Sequence, residues 1–146
     1  MKIEALGHVV IRVTDRAKAE TFYGGLLGLP LCARYDANGM KMAFFTLGDH
    51  HNFAVSEVPP DPRSGPRAGP GLDHVAFRIG DSLDQLREAR AKLDAAGVAT
   101  SPIDHEVTKS LYLSDPDGNG VELYVDVSDI WRRDPQRVAQ AEPLVL

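Results

Sequence analysis

The chain has 146 residues, with 16 basic against 21 acidic side chains and a formal charge of −5, long enough for a compact core and without the like-charge block that a DNA or RNA role calls for. Its one cysteine, Cys32, excludes an intramolecular disulfide and any multi-cysteine metal or redox motif. The opening "MKIEALGHVV" lacks the apolar core of a signal peptide, and no apolar run nears the ~20 residues that span a bilayer, so the expectation is a soluble, cytoplasmic protein.

The first predicted element, "LGHVVIRV" at Leu6–Val13, is a strand that returns 66 residues later as "LDHVAFRI" at Leu72–Ile79, with histidine third and arginine seventh in both. After the first strand, Thr14 or Asp15 can cap a helix over "RAKAETFYGGLLG", with Ala19, Phe22, Tyr23 and Leu26 on one face and Gly28 and Pro30 ending it. Alternating segments "LCARYD", "KMAFFTL" and "HNFAVSEV" follow as strands, the first two joined by an Asn38-Gly39 hairpin turn. Next comes "PPDPRSGPRAGPG", whose prolines and glycines forbid helix or central strand.

The second rhyming strand leads into a helix over "LDQLREARAKLDAAG", capped by Asp81 or Ser82 and ended by Gly97. "VATSPI", "SLYLS" and "VELYVDV" then read as strands, the last two linked by the turn residues "DPDGNG". Both halves are βαβββ. The expected organisation is a single α+β domain, 1–127, of two modules, 5–58 and 72–127, with a Pro/Gly linker 59–71 and a tail 128–146. The modules are expected to form a curved mixed-sheet cup with helices on its outer face. Trp131 in the tail is assigned to packing or subunit contact.

Strand side chains alternate between faces. Val9, Ile11 and Val13, and Val75, Phe77 and Ile79, make the helix-facing rows, which leaves His8 and Arg12, and His74 and Arg78, on the other surface. Glu122 and Tyr112 share that outward parity. A lone strand histidine is ordinarily a surface group, but His8 and His74 hold matching places in matching strands. With Glu122 they make two imidazoles and a carboxylate, the donor set of non-haem Fe(II) oxygenases, which also suits Mn(II). There is no Gly-x-Ser-x-Gly elbow, Walker loop or His-Glu-x-x-His helix.

From Ala5 to Val127 the chain resembles the vicinal oxygen chelate superfamily, through "GHVVIRV…AETFYGGLLGL", "LDHVAFRI" and "LSDPDGNGVELYVD". That superfamily includes extradiol dioxygenases, glyoxalase I, epimerases, fosfomycin-modifying transferases and drug-binding proteins. "DHHNFAVSE" at Asp49–Glu57 and the ten-residue spacing from Tyr112 to Glu122 are similar to the type I extradiol dioxygenases. The resemblance implies His8, His74 and Glu122 as ligands of Fe(II), with Mn(II), Zn(II) or Ni(II) as alternatives. It implies His51 as acid/base, Tyr112 as a hydrogen-bond donor to substrate, and His105 as a further substrate-side histidine. Strict strand alternation favours His50 over His51; the motif favours His51.

Glyoxalases and epimerases add a fourth ligand from the last strand of the first half. Laying "NFAVSEV" on "VELYVDV" sets Phe53 against Glu122, with Ala54 beside it, so three protein ligands are expected. Glu57 or His50 comes into play only if the register shifts. The expected partners are a small aromatic diol, O2 and a second copy of the chain in a homodimer or higher homo-oligomer, with no nucleic acid and no membrane. The alternatives are a glyoxalase-like isomerase or lyase using Ni, Zn or Co, and a non-catalytic binding or resistance protein.

Overall fold

The computed structural model describes residues 5–48, 50–60 and 71–146. Most of the linker expected over 59–71 lies outside the described residues. The chain is α+β and divides into two compact units, Met1–Gly69 and Pro70–Leu146.

The first unit runs β1 (Val9–Val13), α1 (Arg16–Ala19) continued by a π-helical segment (Glu20–Leu26), β2 (Leu31–Ala37), β3 (Met40–Phe45) and β4 (Phe53–Glu57). Its sheet order is β1-β4-β3-β2, with β1 parallel to β4 and the other pairs antiparallel. Asp15 rather than Thr14 caps the helix, its carboxylate accepting from the Lys18 N–H at 3.0 Å. The expected α-helix gives way to wider turns at Glu20: Leu27 N–H reaches back five residues to the Phe22 carbonyl at 2.9 Å. The wider turn lets the adjacent Phe22 and Tyr23 both face the sheet, where both are buried. Gly28 closes the segment with φ +81°, a conformation costly to residues with a Cβ. Asn38 and Gly39, with φ 54° and 77°, make the expected hairpin turn.

Val13, Tyr23, Phe45, Phe53 and Val55 form the first core. Phe53 is 2% exposed, with its ring centroid 4.7 Å from Tyr23 and 6.0 Å from Phe45. Phe53→Ala leaves a cavity between those rings and is expected to cost about 3–5 kcal/mol, read as a lower urea midpoint at unchanged slope.

The second unit runs β5 (His74–Gly80), α2 (Leu83–Ala95), β6 (Ser101–Asp104), β7 (Thr108–Ser114) and β8 (Gly120–Asp126). Its sheet order, β5-β8-β7-β6-β9, repeats that of the first and adds one short strand, β9 (Glu142–Pro143), along β6. Ser82 caps α2 in a reciprocal box with Gln85, and Gly97 at φ +72° follows its end. Leu86 and Leu93 bury its inner face with Leu111, Val121 and Val125. β6 starts later than "VATSPI" suggests, because Val98 is spent closing the helix, its N–H bonded to Leu93 O at 2.9 Å. In the turn before β8, the Asp115 carboxylate accepts from the backbone of Asp117 and Asn119 at 2.9 and 2.8 Å.

The tail belongs to this unit. Short 3₁₀ turns at Ile130–Arg132 and Pro135–Ala139 lead into β9, which pairs Ile103 with Pro143. Among the described residues no helix is long and apolar enough to cross a membrane.

Candidate functional site

The duplication extends to strand register. In the second unit Ala76 pairs with Glu122 and Glu122 with Tyr112; in the first the same ladder reads Val10, Ala54, Phe44. Ser110 opposite Tyr124 likewise matches Met42 opposite Ser56. The counterpart of Glu122 is therefore Ala54. This corrects the expected Phe53 by one residue, because parallel pairing to the rhyming strand fixes the comparison better than overlaying "NFAVSEV" on "VELYVDV". Alanine, like phenylalanine, offers no ligand atom. Glu57 is engaged elsewhere, accepting from Arg16 N–H at 2.9 Å and Lys41 Nζ at 3.0 Å. Where the second unit carries carboxylate, phenol and hydroxyl, the first carries alanine, phenylalanine and methionine.

In the second unit His74 opens β5 and its Nε2 lies 3.1 Å from Glu122 Oε2, while its Nδ1 lies 2.8 Å from Asp73 Oδ2. A neutral imidazole has one N–H for these two carboxylates, so one nitrogen presents its lone pair to an anion. A second ring proton or a bound cation resolves that conflict. With Nδ1–H given to Asp73, Nε2 and Glu122 Oε2 become two donor atoms on one side of the sheet. Two ligands each about 2.1 Å from a metal and at right angles sit about 3 Å apart, so their separation suits a shared ion. Glu122 is 8% exposed and its other oxygen, Oε1, accepts from Ser110 Oγ at 2.6 Å. Burial and this bond hold the carboxylate in one orientation.

Tyr112, one strand over, stacks edge-on to His74 with centroids 5.3 Å apart. Its hydroxyl lies 3.0 Å from His105 Nε2, and His105 Nδ1 lies 2.7 Å from the Gln140 carbonyl. A carbonyl only accepts, so Nδ1 carries the proton and Nε2 offers a lone pair to Tyr112 O–H. The phenol also reaches Glu122, and has one proton for two acceptors. Burial, then the Glu122 charge, push its pKa up to about 12. The sign follows: stability tied to the neutral phenol is fully present below pH ~10 and is lost as pH rises toward 12. In a near-ultraviolet titration, wild type and Tyr112→Phe are expected to coincide through pH ~10 and to separate only above it.

Three of these groups, His105, Tyr112 and Glu122, line a cavity of about 470 Å³. Thr108, Tyr124 and Asp126 add polar lining, and Ala76, Val107, Trp131 and Val138 supply apolar wall. Trp131 is thus a wall of the cavity, with Arg132 over its ring at 4.7 Å. Arg78 is held by Asp126 at 2.5 Å.

In the first unit His8 gathers with His51 and His50. His8 and His51 ring centroids are 4.4 Å apart, and those of His50 and His51 4.7 Å. Both histidines precede β4, so strand alternation does not govern them, and both lie in the cluster. Ser110, Asp73 and the Gln140 carbonyl are functional groups that the sequence did not single out; Trp131 was expected only to pack or make a subunit contact. Ser110 was accessible from the sequence, standing two residues before Tyr112 with the same parity.

Duplicated βαβββ modules bearing imidazole and carboxylate donors at the first strand and at β8 define the vicinal oxygen chelate class. The model of the glyoxalase/bleomycin resistance protein/dioxygenase superfamily matches residues 5–123, and the chain belongs to that superfamily. It is 31% identical over 131 residues to catechol-2,3-dioxygenase of Bacillus subtilis, covering 88% of this chain and 44% of that protein. It is 33% identical over 123 residues to biphenyl-2,3-diol 1,2-dioxygenase 2 of Rhodococcus globerulus, covering 82% and 61%. Against glutathione transferase FosA of Serratia marcescens it is 30% identical over 128 residues, covering 84% and 82%. The chain thus spans less than two thirds of those dioxygenases. In fold it is similar to a glyoxalase/bleomycin resistance protein/dioxygenase domain from Frankia, with a TM-score of 0.72 at 21% identity, covering 86% of this chain and 99% of that one.

Proposed function

We propose that this protein is an Fe(II)-dependent extradiol dioxygenase that opens a catechol-type ring beside its two hydroxyls, using O2. The observation that carries the reading is the Tyr112–His105 pair beside Glu122, itself paired with His74, where Tyr112, His105 and Glu122 line a cavity shared with Trp131 and Val138. His74 and Glu122, with His8 as the further imidazole, would hold the ion, a donor set of the non-haem Fe(II) oxygenase kind. When bound, Fe(II) supplies chelation of the diol oxygens and activation of dioxygen.

The chain's own groups do the rest. Trp131 and Val138 receive the ring, orienting its hydroxyls toward Tyr112. Tyr112 stays protonated at neutral pH and so donates a hydrogen bond to a substrate oxygen. Before substrate arrives, His105, with Nδ1–H on the Gln140 carbonyl, in its neutral tautomer accepts from Tyr112 at Nε2 and so sets where the phenol points. His51 is the acid/base that takes and returns the diol proton.

The test is anaerobic loading with Fe(II) followed by air and simple catechols. A yellow ring-opened product with matching O2 uptake is expected, and none from the Zn(II)-loaded protein, since Zn(II) has no redox chemistry. No product across a catechol panel from fully loaded protein would overturn the reading. A second reading draws on coverage: the chain spans 82% of FosA and 91% of a probable lactoylglutathione lyase from Synechocystis, against 44% of the Bacillus dioxygenase. That reading is a metal-dependent isomerase or transferase of thiol adducts. Turnover of a thiol adduct with Zn(II) or Mn(II), without O2 uptake, distinguishes it.

A further inference from the structure

We infer that His8, His50 and His51 form a second metal site, contained in the first unit, for a divalent cation of the zinc, copper or nickel kind. One ligating nitrogen from each imidazole lies within 4.8 Å of the others. Three nitrogens bound to one tetrahedral ion about 2.1 Å away stand about 3.4 Å apart, so small side-chain rotations close the gap.

The backbone holds the three rings in place. Val9 N–H bonds the Asn52 carbonyl at 3.1 Å, which ties the residue after His8 to the residue after His51. Asn52 in turn closes the β3–β4 connection, its N–H on the Phe45 carbonyl at 3.0 Å and its Oδ1 accepting from Leu47 N–H at 2.8 Å. His51 is further fixed edge-on to Phe44, centroids 5.3 Å apart. The rings of His8 and His50 are exposed, so a cation reaches them from solvent.

Donor chemistry sets the selectivity. Three imidazoles without a carboxylate suit Zn(II), Cu(II) and Ni(II), whereas Mg(II) and Mn(II) prefer oxygen. The pair His74–Glu122 offers the opposite bias through its carboxylate. This site needs nothing from the second unit and stands whether or not the dioxygenase reading does. It shares His8 with the iron ligands proposed above and His51 with the proposed acid/base, so a cation here withdraws both imidazoles.

The test uses the full chain carrying His74→Ala and Glu122→Gln, stripped of metal and titrated with Zn(II) by calorimetry. One Zn(II) per chain is expected, unaffected by excess Mg(II). Adding His50→Ala is expected to weaken binding by more than the roughly 100-fold that loss of a ligand's supporting partner costs. Imidazole nitrogen resonances of His8, His50 and His51 are expected to shift together on adding Zn(II), with those of His105 unmoved; this readout needs no substitution at His50. Absence of stoichiometric Zn(II), or an affinity indifferent to His50→Ala, or shifts confined to other histidines, would overturn the site.

Discussion

Replacing Glu122 by alanine is expected to abolish ring opening, lowering turnover by at least about 10³-fold, because it removes the anionic ligand of the proposed iron site. The carboxylate sits where burial and charge conflict: 8% exposed, with one oxygen on Ser110 and the other 3.1 Å from His74 Nε2. Such a group is retained at a cost, and a bound cation offsets that cost. Glu122→Gln separates structure from chemistry. The amide keeps an oxygen for Ser110 and a similar volume, so folding stability should change by no more than about 1 kcal/mol. Iron binding and turnover should nonetheless fall with the lost charge. If Glu122→Gln is fully active, the carboxylate is not a ligand.

The next largest effect is expected at Tyr112 and His105. Tyr112→Phe removes the hydroxyl alone and should lower kcat by about 10²-fold with little change in KM, the low end for loss of a proton-transfer or hydrogen-bonding group. His105→Ala should cost about as much, since without Nε2 the phenol loses the acceptor that orients it. Because the two act as one device, the double variant should be no worse than either single variant by more than about 10-fold. Additive losses would mean that the residues work independently. Deleting the chain after Ala139 removes the Gln140 carbonyl and β9, and is expected to reproduce the His105 defect while leaving iron binding intact.

Much of the fold was legible because duplication amplifies weak signals. The rhyming strands fixed the offset between His8 and His74, and alternation sorted Val121 and Leu123 from Glu122 and Tyr124. Ser82, Gly97 and the Asn38-Gly39 turn declared themselves through backbone chemistry that few other residues satisfy. What escaped notice depended on contacts with no local period. The π-helical stretch arises from two neighbouring aromatics, Phe22 and Tyr23, both demanding burial, which an α-helical pattern does not express. The tail's role rests on Trp131 and Val138 lining a cavity and on a main-chain carbonyl at Gln140, and a carbonyl has no residue signature.

The site divides the same way. His74, Glu122 and Tyr112 could be chosen from parity and spacing, and His105 by resemblance; the structure brings these four together within the second unit. Asp73 was hidden by being adjacent in sequence, where strand alternation assigns it to the opposite face. His50 was favoured by strand alternation and set aside for the motif's His51, although both lie ahead of the strand and alternation governs neither.

Anaerobic titration of Fe(II) into the metal-free chain and its single variants bears most directly on the whole account. One ferrous ion per chain is predicted for the wild type, with binding at least about 100-fold weaker in each of His8→Ala, His74→Ala and Glu122→Ala. Iron held as tightly by His74→Ala and Glu122→Ala as by the wild type would contradict it.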